Sequence, residues 1–132
     1  MKMIKEMLFD EYKDINDLIL DVQAIHEILF PNATLASQIA KYEEESEELQ
    51  LANTMENIIE EFADVFIVAC GIRRFSPILG TDLLKQIIDS VKHHEDKITL
   101  AKAVCKKMNK NQTRDWGEAS SGYYKHKVHT IH

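Results

Sequence analysis

Hydrophobic positions along this chain recur at steps of three and four residues rather than in alternation, which predicts an all-α fold. Ile15, Leu18, Ile19, Val22, Ile25 and Leu29 form one stripe, ended before Pro31, whose ring disfavours helical backbone in the residue preceding it. Asn32 or Thr34 is placed to cap a second helix running to about Asn53. Thr54 is placed to cap a third, with Met55, Ile58, Ile59, Phe62, Phe66 and Ala69 on its core face and an end near Arg73, ahead of Pro77. Thr81-Asp82 opens a fourth segment in which Leu83, Leu84, Ile87, Ile88 and Val91 keep the period. The polar run from Lys92 to Lys97 predicts a break or bend, and a last helix from Thr99 to about Asn109 packs Leu100, Ala101, Val104, Cys105 and Met108. Past Trp116 the chain turns polar, glycine-bearing and histidine-rich, so an irregular tail is expected over 117–132. With no repeat and no linker, residues 1–132 read as one domain, a bundle of four to five helices.

Composition narrows the function classes. The 132 residues carry 16 basic and 22 acidic side chains, and a net charge of -6 argues against a general nucleic-acid binder, which depends on neutralising phosphates. A nucleotide stays compatible, because a bound metal and a few local cations reverse the field within one cleft. Two cysteines, Cys70 and Cys105, fall within apolar helical patterns and read as reduced core residues of a cytoplasmic protein. No apolar run reaches membrane-spanning length, and the opening Met1-Lys2-Met3-Ile4-Lys5-Glu6 has no signal-peptide h-region, so a soluble protein without a membrane partner is expected.

Candidate chemistry lies in two acidic signatures, Glu44-Glu45-Ser46-Glu47-Glu48-Leu49 and Glu60-Glu61-Phe62-Ala63-Asp64-Val65. Glu45 and Glu48 share one helix side, as do Glu61 and Asp64, so the carboxylates of two facing helices can converge. Asp64 is embedded in a stretch from Phe62 to Ile72 that is apolar nearly all the way round and therefore expected to be buried. A lone buried carboxylate protonates, pairs with a cation or binds metal. Between Lys41 and Arg73 the chain has no Lys or Arg, so no local cation is expected to neutralise these acids. A divalent cation is the natural solution, with Mg²⁺ favoured by an all-oxygen set and Mn²⁺ an acceptable substitute. For Glu43 to Glu48 taken alone, a solvated helix face is the competing reading; Glu47 and Glu60 are expected to face solvent. A ferritin-like di-iron bundle needs Glu-x-x-His pairs, and none of the six histidines lies three residues after an acid. His126, His129 and His132 in the tail are not read as a metal site, nor His93-His94 as more than surface.

Lys107, Asn111 and Arg114 fall along one side of a continuing last helix and offer an ammonium, an amide and a guanidinium, a phosphate-gripping set; a basic final turn that complements the helix dipole is the competing reading. Gln38 and Lys41 lie one to two turns before Glu45 and are placed either to reach the same cleft or to form a surface polar pair. His26, Phe30 and Trp116 are candidate walls for a nucleobase, with core packing the competing reading for the aromatics and a rim position for His26.

In these motifs the chain resembles the MazG-like members of the all-alpha nucleoside triphosphate pyrophosphohydrolases. Their Glu-x-x-Glu and Glu-x-x-Asp pattern maps onto Glu45, Glu48, Glu61 and Asp64, preceded by Gln38 and Lys41 in a Gln-x-x-Lys arrangement. Lys107-Met108, Asn111, Arg114 and Trp116-Gly117 resemble their closing segment, and Gly122-Tyr123-Tyr124-Lys125-His126 their tail, so the likeness spans about residue 15 to 126. One departure is the stretch 76–97, longer and more helical than the short connection of compact members. The resemblance implies Mg²⁺-dependent hydrolysis of a nucleoside triphosphate to the monophosphate and pyrophosphate, in a homodimer or homotetramer. In that reading Glu45, Glu48, Glu61 and Asp64 hold metal, Glu44 or Glu45 accepts the water's proton, and Lys41, Lys107, Asn111 and Arg114 hold phosphate. The alternative class is a non-catalytic, metal-binding helical module with an oligomerisation or regulatory role.

Overall fold

A computed structural model of the chain describes residues 3–114 and the backbone of 116–117 and 125–126. Five α-helices account for most of the described residues: α1 (Ile15–Leu29), α2 (Leu35–Leu51), α3 (Met55–Arg73), α4 (Pro77–Ser90) and α5 (His94–Asn111). Trp116–Gly117 pairs antiparallel with Lys125–His126 within the stretch expected to be irregular. The rest of that stretch, including His129 and His132, lies outside the described residues, as does the Trp116 side chain. Among the described residues no helix is long and apolar enough to cross a membrane.

Three helix starts follow from their caps. Asp14 accepts from Asp17 N at 3.0 Å, and Thr54 Oγ1 accepts from Asn57 N at 3.2 Å. At α2, Thr34 and not Asn32 is the cap: Thr34 Oγ1 accepts from Ser37 N at 3.1 Å while Thr34 N donates to Ser37 Oγ at 2.9 Å, a reciprocal box that satisfies two otherwise orphaned donors.

Helix α3 is the central rod, and α1, α2, α4 and α5 all pack on it. Every residue from Val65 to Ile72 is buried, as the apolar run predicts. Leu18 and Val22 of α1, Leu84 of α4, and Leu100 and Val104 of α5 close around Phe66 and Cys70 to make one core. Antiparallel α2 and α3 bring Gln38 to the level of Gly71, so their acidic segments also lie side by side.

The structure corrects several element expectations. Met55 is 72% exposed rather than core, because the first turn of α3 projects past the helices that cover its middle. Pro77 does not merely follow a helix end; it is the first residue of α4, where its missing N–H costs nothing and its fixed φ suits the helix. The stretch 76–97 is therefore a full helix lying on α3, plus the first turn of the next. Gly80 allows that close return, since a Cβ there would fall 2.5 Å from Arg73 Cα. The expected break is short, and α5 starts at His94 rather than Thr99.

The far end of α5 is tied down by the N-terminal segment. Gln112 Oε1 accepts from Ile4 N and Lys5 N, both at 2.9 Å, while its Nε2 donates to Lys5 O at 2.8 Å. Asn109 does the same one turn earlier, accepting from Met7 N at 2.6 Å and donating to Met7 O at 3.0 Å. These amides act as substitute backbone and hold straight the turn that carries Lys107, Asn111 and Arg114.

Candidate functional site

Side by side, the acidic segments of α2 and α3 bring Glu45, Glu61 and Asp64 together, each offering a carboxylate oxygen within 4.8 Å of the others. Glu48 stands at the edge of this trio, coupled electrostatically to both Glu45 and Glu61. Glu45 is the most enclosed at 7% exposed, and its Oε2 and that of Glu61 are buried without a hydrogen-bond partner among the described residues. Glu44 sits on the rim with its side chain 46% exposed, and Glu47 and Glu60 face solvent.

Burial and mutual repulsion raise the carboxyl pKa values. Glu61 is pushed up to about 7, first by desolvation, then by the charges of Asp64, Glu48 and Glu45. Asp64 rises to about 6 through desolvation, opposed by Lys107 and reinforced by Glu45. Glu48 is raised as well, by desolvation and then by Glu45. Like charges thus crowd a partly dry space, and protons are drawn in to relieve them.

The expectation that no local cation neutralises these acids fails at Lys41, and a distant cation, Lys107, adds to it. Lys41 Nζ lies 3.1 Å from Glu45 Oε1 and 3.8 Å from Glu44 Oε1, and Lys107 Nζ lies 3.5 Å from Asp64 Oδ1. Lys41 reaches back from one turn before Glu45, and Lys107 comes from α5, which the local stretch of sequence does not contain. Even so, Glu45 Oε2 and Glu61 Oε2 keep no partner among the described residues. Hard oxygens, close spacing and unsatisfied lone pairs together fit a divalent cation such as Mg²⁺.

Beside the trio runs a cleft of about 150 Å³. It is lined by Glu45 and Asp64, by Lys41, Lys107, Asn111 and Arg114, by the apolar Ile67 and Val68, and, about two turns along α2 from Glu45, by Gln38 with His26 and Phe30. Every candidate phosphate residue therefore reaches one space, and Arg114 Nη1 donates to Asn111 Oδ1 at 3.3 Å to hold two of them together.

No protein-family model, curated protein or solved structure matches this chain. Its motifs and its geometry are therefore what bear on function.

His26 is not at the rim: it is 3% exposed, edge-on to Phe30 with ring centroids 4.9 Å apart. Gln38 is likewise buried rather than part of a surface pair. Two residues that complete this end escaped the sequence reading, Gly71 and Arg74. A glycine inside a buried helical run was the available signal, since such a position implies close approach by a neighbour. A larger groove of about 290 Å³ lies between the start of α3 and the α4–α5 connection, mostly apolar and away from the carboxylates.

Proposed function

We propose that the chain is a Mg²⁺-dependent nucleoside triphosphate pyrophosphohydrolase of the MazG-like kind, a cytoplasmic homo-oligomer that splits an NTP or dNTP into the monophosphate and pyrophosphate. One observation carries this reading: a carboxylate trio with buried oxygens unpartnered among the described residues adjoins a single cleft that Glu45 and Asp64 line together with Lys41, Lys107, Asn111 and Arg114. Such a cleft binds an anion that itself carries metal, which describes a polyphosphate.

When bound by Glu45, Glu61 and Asp64, with Glu48 at the edge, Mg²⁺ supplies charge neutralisation at phosphate oxygens and a more acidic water. The remaining work belongs to the side chains. Lys107 and Lys41, now spent on Asp64 and Glu45, turn to phosphate oxygens as the triphosphate enters. Arg114 offers a two-toothed fork to the departing pyrophosphate, and Asn111 an uncharged donor that does not compete for metal. Glu44, exposed and outside the trio, accepts the attacking water's proton. Ile67 and Val68 give the cleft an apolar part of its lining that keeps bulk water out.

The test is a turnover panel of canonical, deoxy- and modified triphosphates with Mg²⁺, in which pyrophosphate and orthophosphate are scored separately. Pyrophosphate release is the expected outcome. Orthophosphate alone would mean a different hydrolase, and stabilisation by Mg²⁺ without turnover or triphosphate binding would mean a regulatory module.

A further inference from the structure

The far end of the cleft has its own chemistry, set by hydrogen bonds that can run in one direction only; assigning it a ligand depends on the nucleotide reading. The Arg74 guanidinium, all donors and no acceptor, lies 3.0 Å from His26 Nδ1 and 3.0 Å from Phe30 O. Nδ1 must accept, so the neutral ring carries its proton on Nε2. Burial, and then the Arg74 charge, press the imidazole pKa down to about 3, in keeping with a ring that stays neutral.

His26 in turn hydrogen-bonds to the Gln38 side chain. An N–H can only be received by the amide oxygen, which removes the usual ambiguity of amide orientation. His26 Nε2 and Gln38 Oε1 both rest on Gly71, where a Cβ would lie 2.6 Å from the first and 2.7 Å from the second. The amide NH₂ is then the opposite end of a side chain that is 5% exposed and lines the cleft.

We infer that Gln38 is a specificity-determining residue: the relay from Arg74 through His26 presents a fixed donor to the ligand and selects nucleobases with a carbonyl oxygen there, of the uracil or guanine type, over those with an amino group. Position supports a base rather than a phosphate. Gln38 lies seven residues before Glu45, and Gly71 seven after Asp64, so the donor stands about 10 Å from the carboxylates along either helix. Ribose and base span that interval, and Phe30 supplies an aromatic neighbour. An amino edge would set donor against donor in a nearly dry place, leaving both unsatisfied, and such mismatches discriminate more strongly than lost apolar contact.

The experiment is calorimetric titration with uridine, guanosine, cytidine and adenosine 5′-monophosphates in the presence of Mg²⁺, with turnover of the four triphosphates run alongside. Uridine and guanosine nucleotides are expected to bind at least about tenfold more tightly than the other two. Gln38→Glu, which puts an acceptor in place of the donor, is expected to shrink or invert that ratio, whereas Lys107→Gln weakens all four alike. Nitrogen NMR of the unmodified protein needs no variant to fold: His26 is expected as the Nε2–H form, unchanged between about pH 5 and pH 8. Equal affinity for the four nucleotides, a preference for the amino bases, an unchanged ratio in Gln38→Glu, or a titrating His26 would each overturn the inference. Selective binding without pyrophosphate release would sink the hydrolase reading alone, and turnover without base selectivity would sink this one alone.

Discussion

Replacing Asp64 with Asn should make the metal-free protein more stable, an unusual result for a residue at the heart of a proposed site. The folded-state pKa of Asp64 is raised from 3.8 to about 6, so the fold prefers its carboxyl protonated despite the Lys107 contact. A raised pKa means that the stability this group contributes is fully present below about pH 4 and is lost as pH rises through about 6. Two pKa units correspond to about 3 kcal/mol, an upper figure because the side chain keeps 22% exposure. For a chain of this size that is a melting-point difference of about 10 °C or less. Thermal melts of the parent and Asp64→Asn, with chelator and with Mg²⁺, at about pH 4 and about pH 8, check the idea. Near neutral pH the variant should melt higher without metal, the gap should close in acid, and Mg²⁺ should raise only the parent. If the variant melts lower than the parent in chelator at about pH 8, or if Mg²⁺ stabilises both equally, the crowded-carboxylate account is refuted.

Because protons and metal compete for the same oxygens, the apparent affinity for Mg²⁺ should climb as pH rises through about 6 to 7, the raised values of Asp64 and Glu61, when followed by calorimetry. Gly71→Ala should cost about 1–3 kcal/mol in denaturant melts, because its Cβ meets His26 and Gln38 under 3 Å. Lys107→Gln should raise KM for a triphosphate by about tenfold or more while the Mg²⁺-induced rise in melting point persists, since the group serves phosphate rather than metal. Thr34→Ala, which breaks the α2 capping box, should lower stability by about 1 kcal/mol in denaturant melts and leave metal binding intact.

What could be read before the structure was what local chain physics controls. The stripe of α1, the Thr34 and Thr54 caps and the spacing of Glu45, Glu48, Glu61 and Asp64 are short-range features, and the structure shows helices where they imply them. Pro77 was ambiguous, because the same ring that ends one helix begins another, and the tight packing of Gly80 on Arg73 decides between the two. The first turn of α5 was hidden since periodicity reports only buried faces, and His94 to Lys97 are exposed. The cations beside the acids were missed for a different reason. Lys107 is distant in sequence, and Lys41 had been assigned to phosphate, so neither was counted as a partner of Glu45 or Asp64. The Arg74–His26–Gln38 relay joins three helix segments and leaves no local pattern at all.

The two lysines also offset part of the charge that this cluster concentrates. Four carboxylates, Glu45, Glu48, Glu61 and Asp64, meet two ammonium groups, so two negative charges remain when all are ionised. The raised pKa values show that protons supply part of the deficit. A divalent cation supplies all of it without the loss of any hydrogen-bond acceptor. On the proposed function, an incoming triphosphate would draw Lys41 and Lys107 toward its own oxygens, which would strip Glu45 and Asp64 of their cations and strengthen their hold on metal. Metal and polyphosphate would then be coupled through the same two side chains, each favouring the other's binding by reciprocal linkage, so Mg²⁺ affinity measured by calorimetry should rise when a non-hydrolysable triphosphate is present.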